Sequence, residues 1–385
     1  MLVLARIIVC SIAFVAMLIW SVDFIGYLKN RYCRYHIGRW KDELSWKEAV
    51  TRCAIRWTKH TPTVKITDSN RYLLMDMLQG KYRSQTIQSW QTASLMLGLE
   101  QCATDSSTNA VRQMSSRLIT ENGMFRNMPT NVDVGMLCYS LLQSSDPVQI
   151  KPAMDYAVEL IVKHIAEDGT ILYTNDLMSD ERYVDTIGLV CPFLARYGRI
   201  YGKSEYIDLA VNQLEAFIKY GLDSQSGLPN HAYSVKTKLP LGVYGWGRGA
   251  GWYTLGLIDT YQELPECPAR QQLKEQIKKT ADQYLRFQRD DGGFGYILQL
   301  REGYDSSATA ALAYFYKSCA NVFHSPTYAE VSKKCINKLK SVTRITGAVD
   351  WCQGDTKGIG VFSQTYDVMP FAQGLVLRSI YMESV

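Results

Sequence analysis

Helical periodicity is the feature that most limits what this chain can fold into. Beyond residue 42, apolar residues recur at i, i+3 and i+4 in about a dozen segments, as one buried helix face requires. No alternating pattern lasts long enough to build a central sheet. The sequence therefore predicts an all-α fold of twelve or thirteen helices. The predicted helices cover residues 43–59, 70–78, 86–102, 108–119, 132–143, 152–165, 181–201, 204–219, 251–264, 269–288, 305–320, 326–341 and 366–382.

Short glycine turns punctuate these helices at regular intervals. They contain Gly123, Gly169, Gly227, Gly293 and Gly347, and an apolar or aromatic residue follows each one within two positions. A glycine that ends a helix explains any single turn, but it does not explain a shared pattern that returns every 46 to 66 residues. The repeat indicates six two-helix units closed into a toroid of inner and outer helices. Function is then expected on the loops of one face.

Composition excludes several classes of protein. The net charge of +5 is small, and Lys and Arg are mixed with acidic residues, so nucleic acid is not an expected partner. The ten cysteines form no CxxC pair, and the five histidines never occur at ligand spacing. We therefore expect no metal and no other cofactor. No linker interrupts the chain after residue 45, which favours one catalytic domain over residues 45–385.

The amino terminus carries an apolar segment. Residues 7–22 contain no charge, and with the residues that follow they approach the roughly 20 residues that span a bilayer. A cleaved signal peptide is the alternative, but no small-residue cleavage site follows the segment. We expect an uncleaved single-pass anchor over residues 1–28, followed by a basic juxtamembrane segment over residues 29–44.

The side of the membrane stays open. The five basic residues between 29 and 41 follow the anchor, and the positive-inside rule then places the main domain in the cytoplasm. The unpaired cysteines favour the same side. An ordinary signal anchor with its amino terminus inside would instead place the domain in the periplasm or outside the cell.

The stretch YGWGRGAGW, residues 244–252, presents two indoles and a guanidinium from one glycine-rich turn before an apolar helix. The planar fork of Arg248 suits a carboxylate, while Trp246 and Trp252 suit the apolar faces of a sugar ring. A buried structural arginine that caps carbonyl groups is the equal alternative. A dinucleotide site is disfavoured, because the glycine spacing is wrong and no strand precedes it.

Two aspartates and one histidine complete the candidate site. Asp185 interrupts an apolar run at a helix start, where a charged side chain is uncommon. Asp133 lies near another helix start, and His231 lies on a turn shortly before the tryptophans. An aspartate at a helix start often only complements the helix dipole. Two carboxylates in one funnel would raise at least one pKa toward the range of a general acid.

Four segments together resemble the unsaturated glucuronyl and rhamnogalacturonyl hydrolases, glycoside hydrolase families 88 and 105. They are YVDTIGLVCPFLARYG, GLPNHAYS, YGWGRGAGWYTLGLIDTYQELP and YDSSATAALAYFY. The resemblance extends from about residue 45 to the carboxyl terminus and implies an (α/α)6 barrel. It implies that Asp185 is the general acid/base, that Asp133 is a second pocket carboxylate, and that His231, Arg248 and Trp252 line the pocket.

The activity that the resemblance implies is removal of a 4,5-unsaturated uronic acid from the non-reducing end of an oligosaccharide. Such an enzyme hydrates a vinyl ether and needs no cofactor. Two alternatives stay open. An inverting glycosidase on the same barrel would use Asp133 and Asp185 as separate acid and base on saturated glycans. A membrane-tethered glycan-binding or assembly protein would keep the barrel without turnover.

Overall fold

The structure is a computed structural model that describes residues 2–62, 64–65, 73–79, 82–83, 87–174, 176 and 178–383. The predicted helix near 70–78 lies partly outside these residues, and its described part is a short helix, α3 (Leu73–Leu78). A long amino-terminal helix, α1 (Leu2–Tyr35), precedes the folded domain.

Within the described residues, six helices form a closed inner ring in which each packs against the next and the last packs against the first. These helices are buried on nearly all sides, which explains their continuous apolar sequences. They are α4 (Ser89–Cys102), α6 (Val134–Ser144), α8 (Val184–Tyr201), α10 (Gly247–Glu263), α12 (Ser306–Phe323) and α14 (Pro370–Tyr381).

An outer helix packs against each inner helix and buries only one face. The first outer helix packs against the carboxyl-terminal inner helix α14, so the two ends of the domain meet and close the ring. The outer helices are α2 (Glu43–Trp57), α5 (Asp105–Leu118), α7 (Pro147–Val162), α9 (Ser204–Tyr220), α11 (Pro268–Tyr284) and α13 (Pro326–Ser341). The prediction of an (α/α)6 barrel is confirmed.

The glycine turns connect each outer helix to the next inner helix. Gly123, Gly169, Gly227 and Gly347 all have φ between 71° and 83°, the left-handed region that glycine enters without a Cβ penalty. The fourth turn differs from the prediction, because Gly292 takes the left-handed conformation, with φ 84°, rather than its neighbour Gly293. These turns lie at the end of the barrel where the inner helices begin.

The described strands are two or three residues long, so no central sheet exists in the described part of the chain. A three-stranded antiparallel sheet joins β3 (Glu181–Tyr183), β4 (Ala232–Ser234) and β5 (Pro240–Leu241), with β4 in the middle. Two further antiparallel pairs join β1 (Val64–Lys65) to β2 (Tyr82–Arg83) and β6 (Cys352–Gln353) to β7 (Tyr366–Asp367).

Charged groups inside the barrel are paired. Arg378 of α14 donates to both carboxylate oxygens of Asp259 on α10, at 2.9 and 2.8 Å, and Tyr314 donates to the same carboxylate at 2.6 Å. Burial of these groups would be costly without such partners. The ten cysteines are unpaired, and seven of them are buried among apolar side chains.

Helix α1 joins an exposed apolar half to a half that packs on the barrel. Its most apolar 18-residue window has a mean hydropathy of 2.7 and is wholly exposed. The helix is long and apolar enough to cross a membrane, and a signal sequence has the same properties. From residue 19 onward, the partly buried positions follow helical spacing. These positions are 19, 22, 23, 26, 30, 33 and 34. The expected boundary between residues 28 and 29 therefore falls within one continuous helix.

Candidate active site

The amino-terminal ends of three inner helices, α4, α8 and α10, line a cavity of about 290 Å³. The positive ends of several helix dipoles therefore face the same space and favour a bound anion. Aromatic rings and ionisable groups make up most of the lining. The lining residues are Gln88, Trp90, Tyr173, Thr174, Tyr183, Asp185, Leu189, His231, Trp246, Arg248, Trp252, Asp355, Thr356, Lys357 and Gly358.

The small sheet places Asp185 beside His231. Tyr183 pairs with Ala232 across β3 and β4, and the N–H of Val184 donates to the carbonyl of His231 at 3.0 Å. The chain then turns directly into α8, so Asp185 lies in the first turn of an inner helix. Nε2 of His231 lies 3.8 Å from Oδ2 of Asp185, which is buried and has no hydrogen-bond partner among the described residues.

Burial sets the protonation of both groups. It raises the pKa of Asp185 to about 7, and the negative charge of Asp355 adds to the rise, while Arg248 and the indole of Trp252 oppose it. Burial lowers the pKa of His231 to about 4, so its ring is neutral at physiological pH. The N–H of Gly360 donates to Nδ1 of His231 at 3.2 Å. The ring proton therefore lies on Nε2, the nitrogen that faces Asp185.

Aromatic packing fixes the two tryptophans of the glycine-rich turn. The ring of Trp246 lies 4.5 Å from that of His231 and 5.6 Å from that of Phe362. Trp252 packs against Trp90 and Phe371 at 5.5 and 4.7 Å, which are distances typical of edge and tilted aromatic contacts. Both indoles keep part of their surface on the cavity wall.

The glycines of this turn make room for the protein rather than for a ligand. Gly245 has φ 78°, but a Cβ on Gly247 would collide with the carbonyl of Gly295 and with Ala308. The facing helix has a similar contact, since a Cβ on Gly188 would lie 2.6 Å from the carbonyl oxygen of Trp252. Small residues therefore allow α8, α10 and α12 to approach closely.

Most of the hydrogen bonds that Arg248 donates go to the protein itself. Its Nε donates to Ser307 at 3.1 Å, and its Nη2 donates to the carbonyls of Gln353 and Gly354. Nη1 lies 3.8 Å from Asp355, which lines the cavity together with Arg248. This is the geometry of the structural alternative, an arginine that caps carbonyl groups. It leaves one N–H edge for a ligand.

Comparison with known proteins identifies the family. The family model described as Glycosyl Hydrolase Family 88 matches residues 63–382, which is most of the chain. The chain belongs to glycosyl hydrolase family 88. It is therefore a glycoside hydrolase, and the suspected family is confirmed.

Solved structures share the fold of this glycoside hydrolase at low sequence identity. A "possible member of GH105 family" from Klebsiella pneumoniae is 17% identical, with 89% of this chain and 93% of that chain covered and a TM-score of 0.73. The unsaturated glucuronyl hydrolase from Bacillus sp. GL1 is 16% identical, with 86% and 94% covered and a TM-score of 0.66. An unsaturated glucuronyl hydrolase specific for heparin is 14% identical, with 88% and 96% covered and a TM-score of 0.66.

The second predicted carboxylate of this hydrolase is not part of the cavity lining. Asp133 lies immediately before α6 and is partly buried, which raises its pKa to about 6. Its charge nevertheless reaches the site, because Asp133, Asp185 and Asp355 add to the effect of burial in raising the pKa of Tyr173, which lines the cavity. A role for Asp133 as a base in contact with substrate stays a prediction.

The cavity also contains residues that sequence patterns did not indicate. Asp355 accepts a hydrogen bond from Gln88 at 2.9 Å and lies in a polar loop without helical periodicity. Tyr173 and Tyr183 stand with their rings 5.4 Å apart, and the ring of Tyr183 lies 5.9 Å from that of His231. In the part of the chain that the structure describes, no group of three or more His, Cys, Asp or Glu side chains is arranged to hold a metal ion.

Proposed function

We propose that this family 88 hydrolase removes a 4,5-unsaturated uronic acid from the non-reducing end of lyase-generated oligosaccharides by hydrating its vinyl ether. The observation that carries the proposal is Asp185. Its carboxyl group lies in an aromatic cavity, has a pKa of about 7, and has one buried oxygen without a hydrogen-bond partner among the described residues. A group of this kind is half protonated near neutral pH and can both give and take a proton.

In the proposed reaction, Asp185 protonates C4 of the unsaturated ring, and the electron pair of the C4=C5 bond forms the new C–H bond. Positive charge then develops at C5 and the ring oxygen, and water adds at C5 while its proton passes to the Asp185 carboxylate. The resulting hemiketal opens and expels the neighbouring sugar. The neutral Nε2–H of His231 faces the same carboxylate and favours its ionised form, which the first proton transfer produces.

The cavity offers suitable groups for the sugar carboxylate. The first turns of α4, α8 and α10 line the cavity, and Nη1 of Arg248 lies 3.8 Å from Asp355 of the same lining. Trp246 and Trp252 line the cavity with the small part of each ring, 1% and 2% of the residue surface, that the protein leaves exposed. We propose that Arg248 and the helix ends hold the carboxylate and that the tryptophans orient the ring, with Asp133 as a second carboxylate that tunes the site.

The same proposal includes the amino-terminal segment. Residues 1–28 are assigned to a single-pass anchor, residues 29–44 to a juxtamembrane segment and residues 45–385 to the catalytic domain. The exposed apolar half of α1 supports an anchor. Trp20 is exposed near the end of the apolar stretch, as aromatic residues often are at a membrane interface.

The test uses the full chain in detergent with unsaturated disaccharides from pectic and glycosaminoglycan sources. Loss of the ultraviolet absorbance of the conjugated C4=C5 carboxylate reports the reaction. Asp185→Asn is expected to lower the rate by about 10² to 10⁴ with the fold intact. Asp208→Asn, on the exposed face of α9, is the matched control and is expected to keep wild-type activity. Absence of decay from folded wild-type protein, or cleavage of saturated glycans instead, would refute the proposal.

A further inference from the structure

A second cavity lies where α1 meets the barrel. It has a volume of about 400 Å³ and opens between the carboxyl-terminal half of α1 and the segment 351–369. Asp355 lines both this groove and the active-site cavity, so the two spaces adjoin. We call it the α1 groove. Its lining residues are Asp23, Gly26, Tyr27, Asn30, Arg31, Arg34, Trp351, Cys352, Gly354, Asp355, Gln364, Thr365, Tyr366, Asp367, Val368 and Met369.

The wall supplied by α1 is firmly attached. Arg34 donates from Nε and Nη2 to the two carboxylate oxygens of Asp350 at 2.9 and 3.0 Å, and from Nη2 to the carbonyl of Tyr366 at 2.9 Å. Asp350 is fully buried and also pairs with Arg344 at 2.7 Å. Bidentate pairs of this kind fix geometry as well as adding energy. Arg34 therefore ties α1 to both stems of the segment that carries Asp355.

The groove has the surface chemistry of a sugar site. Trp351 and Tyr27 remain 39% and 57% exposed, and the rings of Trp351 and Tyr366 lie 6.4 Å apart. Trp351 has φ 63°, an outlier for a bulky residue that is kept only where the surrounding structure imposes it. The guanidinium of Arg34 lies over the ring of Trp351 at 4.7 Å. The remaining exposed surface of that ring and the ring of Tyr27 can pack against pyranose rings, while the amide of Asn30 can bond their hydroxyl groups.

Charge in the groove disfavours an anionic ligand. The carboxylates that line it already have cationic neighbours, since Asp367 pairs with Arg344 at 2.9 Å and Asp355 lies 3.8 Å from Arg248. Arg34, which also lines it, is already bound to a buried aspartate. A phosphate, a sulfate or a second uronate would compete with these carboxylates for their guanidinium partners, whereas an uncharged sugar would leave the pairs intact.

We propose that the α1 groove binds uncharged sugar units on the leaving-group side of the scissile bond, so that the amino-terminal helix forms part of the substrate site. The inference rests on the proposed function and deepens it, because it identifies the sugar that follows the unsaturated uronate as a neutral one. The unsaturated ring occupies the inner cavity, and the chain leaves it past Asp355 into the groove.

The test compares unsaturated disaccharides with tetrasaccharides whose other units are neutral, using full-length protein in lipid nanodiscs. The ratio of kcat/KM for tetrasaccharide over disaccharide is expected to fall about five- to tenfold in Tyr27→Ala, as is typical for loss of one aromatic contact. Tyr32→Ala removes the same side chain five positions along α1, outside the groove, and is expected to keep the wild-type ratio. Sulfated tetrasaccharides are expected to be poorer substrates than neutral ones.

Equal ratios in wild type and Tyr27→Ala would overturn the inference. So would activity that is independent of chain length but changes with the nanodisc lipid, because the groove would then hold a lipid headgroup. Inactivity of the wild type on every unsaturated substrate would refute the proposed function instead. In that event, titration with a neutral oligosaccharide still decides the groove: binding weakened by Tyr27→Ala and kept by Tyr32→Ala supports it, and absence of binding overturns it.

Discussion

Replacement of Asp185 by asparagine should stabilise this protein at high pH while it abolishes activity. Burial raises the pKa of Asp185 from an ordinary 3.8 to about 7 in the folded state. A raised carboxyl pKa means that the folded state binds the proton more tightly than the unfolded chain. Stability is then fully present below the unfolded pKa and is lost as pH rises through about 7. Asparagine keeps the shape and carries no charge to bury.

The size of the effect follows from the shift. A rise of about 3 pKa units, at about 1.36 kcal/mol each, gives an upper limit of about 4 kcal/mol at pH 8. The Asp185 side chain remains 16% exposed, and water therefore screens part of this cost. The Nε2–H of His231 also faces the carboxylate. We expect the free energy of unfolding of Asp185→Asn to exceed that of wild type by about 1 to 3 kcal/mol at pH 8.

Denaturant unfolding of both proteins in detergent at pH 5 and pH 8 measures this difference. The expected gain should shrink markedly at pH 5, because most of the Asp185 carboxyl groups are then protonated. Wild-type kcat/KM should fall above about pH 7 as the acid form is lost. A variant that is less stable than wild type at pH 8 would show that the carboxylate makes net stabilising contacts, and the reasoning from burial would be refuted.

Three further changes test other parts of the structure. Gly188→Ala places a methyl group against the backbone of Trp252, and it should lower the free energy of unfolding by about 1 to 3 kcal/mol and also lower kcat/KM. Wild-type values for both quantities would contradict the close contact between the helices. Asp259→Asn should cost about 3 to 5 kcal/mol, because Arg378 keeps a buried charge without its partner, and unchanged denaturant unfolding would disprove that pairing. His231→Asn should raise KM but should not remove the fall in kcat/KM near pH 7, because His231 is already neutral at that pH. If the variant no longer showed the fall, the group that titrates near pH 7 would be His231 and not Asp185.

The barrel could be predicted because its information is local. Each inner helix is apolar on nearly all faces and each outer helix on one, so periodicity reports position in the ring. The turn glycines mark the passage from one hairpin to the next, and four of the five predicted glycines take the left-handed conformation. The exception at Gly293 arises because two adjacent glycines can satisfy the same turn, and sequence does not show which one does.

The site was predictable only where a single residue conflicts with its surroundings. A carboxylate in an apolar run marked Asp185, whereas Asp355 lies in a polar loop in which an aspartate is unremarkable. Arg248 shows a different limit. Its fork is used by the carbonyls of Gln353 and Gly354, more than a hundred positions away along the chain. Such long-range contacts leave no local pattern.

The amino-terminal helix shows how one segment can carry two patterns at once. Apolar content predicts a membrane anchor, and the same helix also places small and polar residues, Gly26, Asn30 and Arg34, on a stripe at helical spacing that faces the barrel. Because the helix as a whole is strongly apolar, its composition alone does not reveal this stripe. Because Arg34 binds a fully buried aspartate in the stem of a loop that reaches the cavity, α1 cannot be a passive tether. An interaction that fixes the position of α1 therefore also fixes the loop that carries Asp355, which lines the active-site cavity.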